Sequence, residues 1–153
     1  MYQLDTYDHA ILVALQVNGR MTMTELSRQV HLTSPAVAER VKKLEDAGVI
    51  VGYGARINLR KYGYSFEVFV QITVESHTQL DAWADAHPEV LEIHATTGNH
   101  CALLRLALTS PEHLQRLLTE LGMLGNTSTA MVLSSRHEYR ARLDGDKVCP
   151  SPH

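Results

Sequence analysis

Apolar positions in the first third of the chain recur at helical spacing. Ile11, Leu12 and Leu15 share one side of a segment from Leu4 to Asn18, Leu26 and Val30 pair at i, i+4, and Val37, Val41 and Leu44 form a stripe at i, i+4, i+7. The spacing predicts three helices packed around those eight residues. Local signals delimit them: Asp5 caps the first behind Leu4 as a staple, and Asn18-Gly19 ends it. Thr33 caps the third, Ser34 and Pro35 fit its first turn, and Gly48 lies just past its end.

After Gly48 the period changes. Val49 to Asn58 is β-branched and punctuated by glycine, which predicts a short extended arm or hairpin, and Arg60 to Tyr64 reads as a linker. From Phe66 onward the alternation has period two. Phe66–Val74 is a strand with Phe66, Val68, Val70, Ile72 and Val74 on one face; Gln79–His87 is a short helix stopped by Pro88; Val90–Thr97 is a strand. Gly98-Asn99 turns the chain into Cys101–Leu108, whose nearly continuous apolar run suits a central strand. Ser110 and Pro111 start a helix through about Leu121, and Met131-Val132-Leu133 falls in a last strand. Strand, helix, strand, strand, helix, strand is the ferredoxin-like order, an antiparallel sheet with both helices on one face. The open face then calls for a partner, so the pattern predicts sheet-to-sheet dimerisation.

The fold class is therefore α+β: an N-terminal three-helix helix-turn-helix domain (1–52), a hairpin linker (53–65), a C-terminal ferredoxin-like βαββαβ sandwich (66–143), and a flexible tail (144–153). At 153 residues two such domains are each small for a self-sufficient core, and oligomerisation would help both. The chain is 44% apolar and 20% charged, as in soluble globular proteins, with no membrane-spanning run and no signal segment, so a cytoplasmic protein is expected. Two cysteines, Cys101 and Cys149, are too few for a disulfide framework and are expected to be reduced.

Net charge is −3 but unevenly spread: residues 1–63 carry eight Lys and Arg against six Asp and Glu, a balance of +2, and the remainder carries −5. Only the first half suits a polyanion, and several copies would be needed for useful affinity at physiological salt. On the third helix a step of about 100° per residue turns Pro35, Glu39, Lys42 and Lys43 outward, with Ala36 and Arg40 on the flank. Small residues at the leading end and cations behind them suit entry into the major groove of double-stranded DNA. Ser34, Pro35, Ala36 and Glu39 are the candidates for base edges; Arg40, Lys42 and Lys43, with Arg28 as a secondary site, are the candidates for phosphate or guanine. A solvated helix in an ordinary bundle is the plain alternative.

Other chemistry is weak. His94, His100 and Cys101 lack zinc-ligand spacing, and a Cys101–His100 nucleophile pair fails because neighbouring strand residues point oppositely. No metal, cofactor or enzymatic activity is expected. Trp83 reads as a core aromatic.

The ordered set Leu4-Asp5, Asp8, Ile11-Leu12, Asn18-Gly19-Arg20, Glu25-Leu26-Ser27, Arg40 to Glu45, Gly48-Val49-Ile50, Gly52-Tyr53, Pro88-Glu89-Val90, Thr97-Gly98 and Leu103-Leu104 resembles the Lrp/AsnC, or feast/famine, family of transcriptional regulators. The resemblance covers about Leu4 to Leu133. It implies a winged or plain helix-turn-helix over about Met23–Lys42, a hairpin linker, a ligand-sensing βαββαβ domain of the RAM/ACT-like kind, and homodimers that assemble into tetramers or octamers and wrap DNA. It also implies a small-molecule effector such as an amino acid, with Gly98, Asn99, His100 and Cys101 as candidate lining.

Two departures stand out. His31-Leu32-Thr33 replaces the family's usual Gly-Leu-Ser turn, so His31 must accept a left-handed backbone or the turn must differ. Cys101 and Ala102 stand where the sensing loop usually carries Asp-Tyr, and a thiol neither meets an ammonium nor holds a loop as a carboxylate does. The readings are thus a regulator with a changed effector, an effector-independent DNA-organising protein, or a free-standing amino-acid-binding module.

Overall fold

The computed structural model describes residues 3–135, so the expected tail and the end of the second domain lie outside the described residues. The chain divides between Ala55 and Arg56 into two compact units.

The first unit holds α1 (Thr6–Val17), α2 (Met23–Val30) and α3 (Ser34–Asp46). Each start is set by its cap. Asp5 and Asp8 exchange side-chain and backbone bonds at the head of α1, Thr22 and Glu25 do the same for α2, and the Thr33 hydroxyl accepts from Ala36 N–H. Ile11, Leu12, Leu26, Val30, Val37, Val41 and Leu44 are buried as expected; Ala14 is buried as well, and Leu15 packs against the cluster half-exposed. Between α2 and α3 the backbone turns at His31, with φ 56 and ψ 41. The left-handed turn lets Leu32 N–H reach Ser27 O at 3.0 Å.

The segment after Gly48, expected as an extended arm or hairpin, pairs with no strand among the described residues, and residues 51–58 carry neither helix nor strand. The expected linker instead coils into a helical turn, α4 (Leu59–Tyr62), because the Asn58 side chain accepts from Lys61 N–H and Gly63, at φ 124, closes the other end.

The second unit follows with β1 (Phe66–Val74), α5 (His77–Ala86), β2 (Val90–Ala95), β3 (Ala102–Leu108), α6 (Pro111–Leu124) and β4 (Gly125–Met131). The sheet order is β2-β3-β1-β4, antiparallel throughout, which is the ferredoxin-like arrangement. Val68, Val70 and Ile72 of β1 and Ala102, Leu104, Leu106 and Leu108 of β3 face the helices, where Leu80, Leu117 and Leu121 complete the core.

Three details depart from the expected strands. β4 begins six residues earlier than the apolar signal at Met131, directly after α6, because its pairing with β1 rather than its composition makes it a strand. Gly125 is required there: a Cβ at that position would collide with the Thr73 carbonyl oxygen. The apolar run of β3 conceals Arg105, which lies on the face away from the helices and pairs with Glu67 at 2.6 Å and Glu92 at 2.7 Å. Trp83 packs against the core yet keeps its ring nitrogen outside, donating to Glu120 at 2.9 Å while its ring stacks on His87 at 4.1 Å. His87 Nε2 approaches the same carboxylate at 2.9 Å.

Candidate nucleic-acid interface and effector loop

The face of α3 away from the core is exposed along Pro35, Ala38, Glu39, Lys42 and Lys43, with Ser34, Ala36 and Arg40 half-buried at its margin. Ala38 is absent from the expected set because it lies on the flank opposite Ala36. Proline and two alanines leave the leading turns with little side chain, so a surface can approach the backbone closely.

Ser34 turns inward. Its hydroxyl lies 3.1 Å from that of Ser27, which is buried and donates to Thr24 O at 2.9 Å. The two hydroxyls fasten the start of α3 to α2. Arg40 is likewise engaged within the unit: one guanidinium nitrogen lies 2.7 Å from Asp5 and 2.8 Å from Asp8, and the group sits 5.3 Å from the centre of the Tyr7 ring. Asp8 is only 1% exposed, so a cation beside it offsets the cost of burying its charge. Burial acts to raise the Asp5 carboxyl, but bonds from Asp8 N–H and from Arg40 outweigh it and hold Asp5 below its ordinary value.

Lys43 reaches back to Glu39 at 2.7 Å, an exposed i, i+4 pair whose lysine keeps the Glu39 carboxyl low. Such a pair is worth well under about 1 kcal/mol and opens readily. Lys42 and, in the last turn of α2, Arg28 are exposed. Of the eight residues expected at this interface, six present themselves to solvent or its margin, and Ser34 and Arg40 are held by the fold. Their partners lie 7, 32 and 35 residues away, a separation that leaves no local trace.

Gly98, Asn99, His100 and Cys101 come together as the β2–β3 turn beside the end of β1. Gly98 has φ 107, a conformation that glycine adopts without strain. The Thr73 hydroxyl donates to Asn99 O at 2.8 Å and lies 3.3 Å from His100 Nδ1, while the Thr96 hydroxyl donates to His100 O at 2.8 Å. Both threonines belong to the loop structurally, although the sequence does not single them out. Cys101 lies against β1: Val74 N–H donates to its sulfur at 3.4 Å, and the thiol lies 3.5 Å from Ile72 O. It thus ties the turn to the strand, a holding role expected of a carboxylate rather than a thiol. Ala102 points the other way, into the helix-side core.

Residues 4–51 match the winged helix-turn-helix DNA-binding domain family, and residues 67–141 match the Lrp/AsnC ligand binding domain family. The HTH-type transcriptional regulator LrpB of Bacillus subtilis is 35% identical over 148 residues, 95% of this chain and 99% of that protein. LrpC of B. subtilis superposes with a TM-score of 0.85 at 25% identity, over 89% of this chain and 99% of that one. The transcriptional regulator NMB0573 of Neisseria meningitidis, solved as a complex with L-Met, gives 0.82 at 27% identity, over 89% and 94% of the two chains. Among the described residues no helix is long and apolar enough to cross a membrane.

Proposed function

Because the chain belongs to the Lrp/AsnC family of DNA-binding, helix-turn-helix transcriptional regulators, we propose that α3 is its recognition helix and that an amino-acid effector sets its affinity for DNA. The observation that carries the first part is the bare leading face of α3, with cations immediately behind it. Pro35, Ala36 and Glu39 approach base edges, with Ala38 beside them; Lys42, Lys43 and Arg28 meet phosphates. Ser34 and Arg40 hold the helix at its angle. Replacing Lys42 and Lys43 with alanine should weaken binding on all duplexes alike and flatten its salt dependence by about 0.9 for each phosphate no longer neutralised. An unchanged slope would remove both lysines from the interface.

The effector assignment rests on the sensing domain and on a structural neighbour that carries L-Met. Gly98, Asn99, His100 and Cys101 are its lining in this chain, with the Thr73 and Thr96 hydroxyls as further polar contacts. The sheet face that bears Phe69, Leu103 and Arg105 is assigned to self-association into dimers and larger assemblies. An effector acts by favouring one assembly over another, in the cytoplasm where the DNA is.

DNA binding and particle mass, followed together across a panel of amino acids that includes methionine, test this reading. A shift in either with one amino acid supports it. Cys101 favours a second reading, in which the protein organises DNA without an effector, because its sulfur is spent on the β1 backbone. Tight DNA binding indifferent to the whole panel selects that reading.

A further inference from the structure

The positive balance of the first 63 residues does not come from the helix-turn-helix. Residues 1–52 carry five cations (Arg20, Arg28, Arg40, Lys42 and Lys43) against six anions (Asp5, Asp8, Glu25, Glu39, Glu45 and Asp46), a balance of −1. Within that unit Arg40 is neutralised by Asp5 and Asp8, and Lys43 faces Glu39. Residues 53–65, by contrast, carry Arg56, Arg60 and Lys61 and no acidic residue at all. The cationic part of this regulator is the segment around α4.

That segment is ordered by its own bonds. The Asn58 side chain caps Lys61 N–H at 3.0 Å, Gly63 N–H reaches Leu59 O at 3.1 Å, and Tyr64 N–H reaches the same carbonyl at 2.9 Å. The Tyr62 and Tyr64 rings stack at 6.0 Å. Beyond them, Ser65 N–H donates to Leu108 O at 2.7 Å and its hydroxyl to Thr109 O at 2.7 Å, so the turn is fastened to the end of β3. Arg60 and Lys61 are exposed and make no side-chain ion pair among the described residues. Two cations on a closed turn lose less freedom on meeting a polyanion than the same residues on a loose linker would.

We propose that α4 is a second DNA-contacting element, in which Arg60 and Lys61 bind backbone phosphates of the duplex without reading its sequence. It rests on the assignment of the chain as a DNA-binding regulator and adds a contact outside the helix-turn-helix. Phosphate contacts of this kind contribute affinity and salt dependence but no base preference.

Full-length protein and its R60A/K61A variant, titrated with a random-sequence linear duplex over a range of salt, test the proposal. The variant should lose about 1.8 from the slope of log K against log salt per bound chain, the equivalent of two phosphates. R60K should keep the slope, since a point charge suffices for a phosphate. Circular dichroism checks that the variants fold. If the wild type binds duplex and the double variant keeps its full slope, the α4 contact is overturned and the regulator assignment stands. If the wild type binds no duplex at any salt, both fall.

Discussion

His31 holds a left-handed backbone with a side chain in place, at the one turn where the helix-turn-helix needs it. A residue with a Cβ is disfavoured there by about 1–2 kcal/mol, and glycine gives back about 0.5–1 through its freedom in the unfolded chain. His31→Gly should therefore raise stability by up to about 1 kcal/mol, seen as a higher denaturant midpoint at unchanged slope. A lower midpoint would mean that the imidazole itself supports the turn. Arg40 presents the opposite case, a side chain whose worth lies in a buried partner. Arg40→Ala leaves the Asp8 carboxylate buried in the first turn of α1 without that cation and should cost on the order of 2–3 kcal/mol in thermal or chemical denaturation.

The Asp5 carboxyl gives this brace a pH dependence. Its value is lower in the folded chain than the ordinary 3.8, so the unfolded chain takes up the proton first as pH falls. The stabilisation is whole above about 4 and is lost as the solution becomes more acid than that. Glu92, held low by bonds from His94 and Arg105 against some burial, adds a second loss that begins slightly higher, below its ordinary 4.5. Arg40→Ala should flatten the acid limb of the stability curve near and below pH 4, measured as denaturation midpoint against pH. An unaltered limb would show that the acid loss arises elsewhere.

At the scale of elements, the sequence makes legible what depends on near neighbours. The caps of α1 and α3, the Pro35 turn and the period-two alternation of β1 can all be read, because each is decided within a few residues. Thr33→Ala should cost about 1 kcal/mol by the same local logic. The start of β4 cannot be read, because Gly-Asn-Thr-Ser-Thr-Ala carries no apolar alternation; its seven pairings to β1, whose nearest member is 51 residues away, make it a strand. The segment 49–58 is the converse case, a strand-like composition that pairs with no strand among the described residues. In the candidate site, the turn at Gly98 is evident from its glycine, whereas Thr73 and the backbone partners of Cys101 come from another strand. Gly125→Ala tests how tightly β4 is drawn in: the added methyl meets the Thr73 carbonyl, and the backbone must part to admit it. A loss of about 2 kcal/mol or more is expected, with amide exchange rising along β4; full stability would mean that the strand shifts at no cost.

For the whole molecule, charge and stability are divided along the chain. The segment after the helix-turn-helix carries the net positive charge, while the rest of the chain beyond it is acidic. The unit with α1, α2 and α3 relies on a small core of eight buried apolar residues, and the ferredoxin-like unit on a larger one around β1 and β3. Each is modest in size, so chemical denaturation should show the two units melting in separate steps rather than one.

The chain contains a single tryptophan, and it is Trp83, stacked on His87 and bonded to Glu120 between α5 and α6. Its light therefore comes from the ferredoxin-like unit alone. Tryptophan emission will follow the unfolding of that unit while circular dichroism follows both, and the gap between the two curves isolates the helix-turn-helix without a label. The same indole will register any ligand that moves α5 against α6, which makes the unmodified protein its own optical assay for an effector.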